Sequence, residues 1–94
     1  MPESPTLFQL GRILATPGAI AAMEEAGQDA GRLLHRHQSG DFGDICQEDR
    51  QENELSIAEN FRIMSVYTMA NKKALWIITE ADRSATTILL PEEY

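Results

Sequence analysis

The sequence predicts a single α+β domain, with short helices packed on a three- to four-stranded, mainly antiparallel sheet. Two observations favour this fold class. Helix-start and helix-end residues divide the first 60 residues into short helical segments, whereas β-branched and aromatic residues concentrate in the last third. The chain has 94 residues, of which 43% are hydrophobic and 24% charged, a composition typical of one globular core. We expect residues 1–94 to form one domain, with residues 1–6 as a flexible arm.

Local signals predict the first strand and the first helix. Segment 7–15 is largely apolar and is predicted as a strand. Thr16 and Pro17 then form a helix start, because a threonine side chain accepts from free N–H groups and proline fits the first helical turn. The helix is predicted to end at Ala26, since Gly27 readily adopts the left-handed conformation of a C-terminal cap.

Two further helices are predicted before residue 60. Asp29 is positioned to cap a helix over residues 30–38. Asp44 and Gln47 have the spacing of a capping box, which predicts a third helix over residues 45–59. This third helix is mostly polar, and its predicted buried stripe is thin, consisting of Ile45, Leu55 and Ala58.

The last third of the chain predicts three strands. Segments 61–69, 75–79 and 86–90 are rich in β-branched and aromatic residues. A turn at 71–73 and a polar connection at 80–84 separate them. Two of these strands are apolar on both faces, so we expect those two at the centre of the sheet. The predicted order of elements is β-ααα-βββ.

The charge of the chain limits its partners. The net charge is −7 and the pI is about 4.6. This acidity argues against direct binding to nucleic acid or to an anionic membrane surface, both of which require a basic face. No apolar run approaches the ~20 residues of a membrane span, and no secretory signal is recognisable. We therefore expect a cytoplasmic protein that binds another protein, and exposed sheet edges make a homodimer conceivable.

Metal and cofactor sites are not predicted. Cys46 is the single cysteine, which excludes an intramolecular disulfide and a cysteine-based zinc site, and we expect it in the core. His35 and His37 accompany Asp41 and Asp44, but residues two apart on a helix point in nearly opposite directions. The histidines are instead interpreted as solvated helix-end residues that interact with the helix dipole.

The 80–84 connection is the candidate for chemistry. Arg62, Glu80, Arg83 and Thr86, together with His37, supply the acid, base and cation that phosphodiester cleavage requires. The alternative is a hairpin loop stabilised by an ion pair. The layout of these strands is similar to the C-terminal hairpin of barnase-type microbial ribonucleases, which implies a ribonuclease-like toxin. In that family an aspartate is followed by a catalytic histidine, whereas here Asp82 is followed by Arg83.

The acidic stretch 41–59 is the candidate for binding. It contains seven carboxylates and one arginine. Asp44, Glu48, Asp49 and Glu52 could present a negative face to a basic groove of a partner protein. The alternative is an ordinary solvated helix face.

A longer resemblance covers nearly the whole chain. The C-terminal motif LWIITEADRSATTILLPEEY, together with the segments ATPGA and SGDFGD, resembles a family of small bacterial proteins found on plasmids and integrated mobile elements. The resemblance implies a complete single-domain protein and no particular activity. The leading functional hypothesis is therefore an accessory or interaction protein without enzymatic activity, and the alternative is the ribonuclease-like toxin.

Overall fold

The structure is a computed structural model that describes residues 6–94. Of the predicted N-terminal arm, all but Thr6 lies outside these described residues. One strand, three helices and three further strands follow one another along the chain, and a short 3-10 turn ends it. Their bounds are β1 (Arg12–Ala15), α1 (Pro17–Ala26), α2 (Ala30–Gln38), α3 (Gln47–Glu59), β2 (Ile63–Thr68), β3 (Ala74–Thr79), β4 (Ala85–Leu89) and the 3-10 turn (Pro91–Glu93).

The four strands form one mixed sheet in the order β1-β4-β3-β2. β2, β3 and β4 are an antiparallel meander, whereas β1 runs parallel to β4. The predicted α+β class is confirmed, and β4 and β3 occupy the centre of the sheet. Ile77 lies opposite Ser65 on one side and Ile88 on the other, so these three side chains share the sheet face that carries the main core.

Helices α1 and α2 begin and end where the sequence predicts. The Thr16 hydroxyl accepts from the N–H of Ala19 at 3.1 Å, and the Asp29 carboxylate accepts from the N–H of Gly31 at 3.2 Å. Gly27 closes α1 with a φ of 66°. Both helices contribute to the core cluster beside the sheet, which includes Ala19, Met23, Leu33, Leu34, Tyr67, Leu75, Ile77 and Ile88.

The first strand is shorter than predicted. Only Arg12–Ala15 pair with β4, whereas the segment before them crosses to α2. The N–H of Leu7 donates to the Gln38 carbonyl at 2.9 Å, and the Gln38 side chain donates to the Phe8 carbonyl at 2.9 Å. Phe8 is buried in a second core cluster. The apolar pattern of this segment therefore reflects burial of a loop and not of a strand.

The start of α3 also differs from the prediction. The helix begins at Gln47, and Cys46 occupies the cap position without a side-chain hydrogen bond. Asp44 does not cap the helix, because its carboxylate accepts from the Thr68 hydroxyl at 2.8 Å. Cys46 is exposed, not in the core as predicted, since it lies at the outer start of a surface helix.

The buried side of α3 is polar. Leu55 and Ala58, two members of the predicted stripe, are exposed. Asn53 and Ser56 face inward instead, with 6% exposure each. The third member, Ile45, lies before the helix and packs against the second core cluster. Among the helices of residues 6–94, none has the length and apolarity required to cross a bilayer.

Candidate functional site

The outer edge of β2 is covered by hydrogen bonds from outside the sheet. The Asn53 side-chain amide donates to the Met64 carbonyl at 2.7 Å and accepts from the Met64 N–H at 3.2 Å. Further along, the N–H of Val66 donates to the Phe42 carbonyl at 3.1 Å, and the N–H of Asp44 donates to the Val66 carbonyl at 2.7 Å. Asn53 thus substitutes for a neighbouring strand, and it fixes α3 beside β2.

The loop before α3 reaches this edge through a glycine. Gly43 forms an isolated parallel bridge with Val66 and has a φ of 76°. A Cβ atom built on Gly43 would overlap the Val66 carbonyl oxygen and come within 2.7 Å of the Tyr67 ring. The close approach therefore requires a residue without a side chain.

A groove of about 190 Å³ lies between α3 and β2. Met64 and Val66 contribute the apolar part of its lining, from the sheet face opposite the main core. Asp49 and Glu52 line it from α3, where their i, i+3 spacing, with Asn53 at i+4, places all three residues on one side of the helix. The remaining lining residues are Ile45, Asn53, Ser56 and Arg62.

The lining of the groove carries two carboxylates and one cation. Among residues 6–94, neither Asp49 nor Glu52 forms an ion pair. The one cation of the lining, Arg62, already has partners: its Nη2 lies 3.7 Å from Oε1 of Glu80, and its Nη1 donates to the Tyr94 hydroxyl. The groove therefore combines an apolar lining with two carboxylates that lack a cation.

Two of the four predicted binding residues line this groove, and the other two do not. Asp49 and Glu52 line the groove. Glu48 is exposed on α3 outside the lining, and Asp44 belongs to the β2 edge through Thr68. Sequence reasoning missed the other lining residues, namely Ile45, Asn53, Ser56, Met64 and Val66. An asparagine in the middle of a mostly polar helix was an available signal, because asparagine is unfavourable in a helix interior unless its side chain forms a specific hydrogen bond.

Two residues of the alternative catalytic set lie inside the core. His37 and Thr86 are both 0% exposed. Nδ1 of His37 lies 2.5 Å from the Ser65 hydroxyl, and Nε2 lies 2.8 Å from the Thr79 hydroxyl. The Thr79 and Thr86 hydroxyls are 2.8 Å apart, and Thr86 donates to the Leu10 carbonyl at 2.7 Å. These groups form one buried chain of hydrogen bonds across the sheet.

The direction of the protons in this chain follows from counting donors. The single hydroxyl proton of Thr86 is used on the Leu10 carbonyl, so Thr79 must donate to Thr86. The Thr79 oxygen then accepts from Nε2–H of His37, and Nδ1 accepts from Ser65. Burial lowers the pKa of His37 to about 3. The prediction of a solvated helix-end histidine is wrong for His37, because its side of α2 faces the sheet.

The other three residues of that set lie at the surface. The Arg83 guanidinium donates to four carbonyls, those of Ser56, Phe61, Glu80 and Ala81, at 2.8–3.1 Å. It therefore fixes the 80–84 connection to the end of α3, and Glu80 is paired with Arg62 instead of Arg83. The five residues do not converge on one cleft, since His37 and Thr86 have no access to solvent.

The histidine–aspartate group is likewise separated. His35 is exposed, whereas His37 is enclosed. Asp41 is held by Arg36, whose Nε and Nη2 lie 2.7 Å and 3.2 Å from the two carboxylate oxygens. This hydrogen bond lowers the pKa of Asp41. Within residues 6–94, no group of three or more histidine, cysteine, aspartate or glutamate side chains is placed to hold a metal ion.

Comparison of the chain with protein-family models, with curated proteins and with solved structures finds no match in any of the three. The resemblances to small plasmid proteins and to ribonuclease hairpins therefore remain predictions from the sequence. The geometry of the α3–β2 groove is the basis on which a function is argued.

Proposed function

We propose that this chain is a small acidic interaction protein, and that the α3–β2 groove binds a lysine or arginine side chain of a partner protein. The observation that carries the proposal is the pair of carboxylates on Asp49 and Glu52 beside the apolar surface of Met64 and Val66. A long basic side chain matches both features, because its methylene stem packs on apolar surface while its charged end meets the carboxylates.

The net charge of −7 supports a protein partner over a nucleic acid, since phosphate contacts require lysine and arginine on the binding face. We further propose an accessory role in the bacterial cytoplasm, in keeping with the resemblance to small proteins of mobile elements. The ribonuclease-like alternative gains no observation in its favour, because His37 and Thr86 are enclosed in the core.

The test is affinity capture from nuclease-treated host lysate with matched charge reversals on one helix. The interface variant carries Asp49→Lys and Glu52→Lys. The control variant carries Glu48→Lys and Glu54→Lys, which make the same charge change outside the groove lining. We expect a stoichiometric protein that the wild type and the control retain and the interface variant loses. Cross-linking should place a basic segment of that protein at α3.

Two results would contradict the proposal. The first is a partner that the interface variant binds as tightly as the wild type does. The second is a partner that both variants lose equally, because this would indicate dependence on total charge and not on the groove. Cellular RNA should remain intact after induction of the wild-type protein, whereas specific RNA cleavage would favour the ribonuclease-like alternative.

A further inference from the structure

The two edges of the sheet are not alike. At the β2 edge, Asn53 and the loop before α3 occupy the outward N–H and carbonyl groups of Met64 and Val66. At the β1 edge, all four residues of the strand are exposed. Residues 6–94 provide no hydrogen-bond partner on the outer side of that strand.

The register of β1 shows which groups point outward. The N–H of Arg12 donates to the Ser84 carbonyl and the N–H of Thr16 donates to the Ile88 carbonyl, each at 3.0 Å. Alternation along a strand then directs the N–H and carbonyl groups of Ile13 and Ala15 away from β4. Ile13 is 53% exposed and Leu14 43% exposed, which is unusual for aliphatic residues on the two faces of one strand.

The charges beside β1 are self-complementary. Arg12 forms no ion pair within residues 6–94. Thr16 follows Arg12 and Leu14 in the alternation of side chains along β1, and the Glu93 carboxylate accepts from the Thr16 hydroxyl at 2.6 Å and from the Leu90 N–H at 2.8 Å. These hydrogen bonds lower the pKa of Glu93 and fix its position, and no cation of the described residues pairs with it.

We propose that β1 pairs antiparallel with β1 of a second copy of this chain, with Leu14 on the two-fold axis. This register places Ile13 opposite the partner copy's Ala15, so that the outward backbone groups of both are hydrogen-bonded. Leu14 meets its own counterpart in the closer, non-hydrogen-bonded type of pair. Arg12 falls opposite Thr16 of the other copy and thus beside Glu93, which yields two equivalent ion pairs.

A second copy fits the β1 edge better than an unrelated strand does. In one register it supplies hydrogen-bond partners for the outward backbone groups, an apolar contact for Leu14, and an opposite charge for both Arg12 and Glu93. A two-fold interface of this kind is self-complementary and closed. The dimer edge is separated from the α3–β2 groove by the width of the sheet, so the proposal does not depend on the proposed function.

The test is the molar mass in solution, measured by light scattering on a sizing column and by sedimentation equilibrium. We expect the wild type to have twice the monomer mass of 10.5 kDa. Leu14→Lys should be monomeric with an unchanged far-UV circular dichroism spectrum, whereas Leu55→Lys, which changes an exposed leucine on α3, should remain dimeric. Arg12→Glu should weaken the dimer by about tenfold or more, because it sets two carboxylates against each other.

Arg12→Glu keeps the test decisive even if Leu14→Lys does not fold. Arg12 is exposed, so its substitution should leave the core intact. A monomeric wild type at millimolar concentration would overturn the proposal. So would a dimer that persists in both folded variants, because it would use another surface.

Discussion

Nε2 of His37 lies 2.8 Å from the hydroxyl of Thr79, on a central strand and out of contact with solvent. The rings of Phe8 and Phe42 stand edge-on to the imidazole, with centroid distances of 5.1 Å and 6.4 Å. A neutral imidazole is thus enclosed by hydroxyl groups and aromatic rings. The partners of the imidazole, Ser65 and Thr79, carry no charge that would stabilise a protonated ring.

Stability should depend on pH through His37. Its pKa is lowered to about 3 in the folded state from 6.5, so the unfolded chain binds the proton more readily. Stability is therefore complete above pH 6.5 and decreases as the pH falls toward 3. Between pH 7 and pH 5 the free energy of unfolding should fall by about 2 kcal/mol through this group. Urea unfolding at the two pH values measures this change.

His35→Gln is the matched control for that experiment, because His35 is the exposed histidine of the same helix. It should keep the pH dependence of the wild type. His37→Gln should be less stable at pH 7 and should lose most of the change between pH 7 and pH 5. An unaltered pH dependence in His37→Gln would contradict the assignment of the effect to this ring.

The tautomer of His37 should be fixed. Donor counting along Thr86, Thr79 and Ser65 requires the proton on Nε2 and a bare Nδ1. Two-bond ¹H–¹⁵N correlation spectra at pH 7 should therefore show one protonated and one unprotonated ring nitrogen, with the proton on Nε2. A proton on Nδ1, or rapid exchange between the two forms, would show that the chain of hydrogen bonds runs in another direction.

Gly43→Ala should destabilise the fold more than Gly27→Ala does. Both glycines have positive φ values, 76° and 66°, so both substitutions incur the strain of the left-handed region, about 1 kcal/mol. A Cβ atom at Gly27 has no neighbour within 4 Å, whereas at Gly43 it overlaps the Val66 carbonyl. We expect about 3 kcal/mol for Gly43→Ala. Equal losses in thermal or urea unfolding would mean that the loop moves away from β2 at little cost.

Arg83→Ala should lower the free energy of unfolding by about 2 kcal/mol, because four carbonyls lose a charged donor. Arg32→Ala, at an exposed arginine of α2, is the control and should change stability by less than about 0.5 kcal/mol. Arg83→Lys should recover only part of the loss, since an ammonium group lacks the planar fork. Full stability of Arg83→Ala would refute this structural role.

The sequence predicted the structure correctly where the structure depends on residues that are neighbours along the chain. Thr16, Pro17 and Gly27 bound α1 because capping is decided within one turn of the chain. Segment 75–79, which is apolar on both faces, lies in the central strand β3, because a strand that is covered on both faces is apolar on both faces.

The wrong predictions share one cause: the residues concerned form hydrogen bonds with partners that are distant in the sequence. Asp44 has capping spacing, but its carboxylate instead accepts a hydrogen bond from the hydroxyl of Thr68, 24 residues away. His37 looks like a helix-end residue until Ser65 and Thr79, 28 and 42 residues away, supply its partners. The groove depends in the same way on Asn53 reaching Met64. Pairings of this kind leave no trace in the spacing of residues along the chain.

The two hydrogen bonds between Asn53 and Met64 also limit how copies of this molecule can associate through their sheet edges. A sheet with two open edges is able to grow without end into a fibril, since each added strand exposes a new edge. Here Asn53 and the loop before α3 occupy the outward backbone groups of Met64 and Val66, so the edge left open for strand addition is that of β1. Edge pairing through β1 therefore stops at a dimer, because the dimer has no open β1 edge left. Asn53, by occupying the β2 edge, thus helps to prevent growth into a fibril.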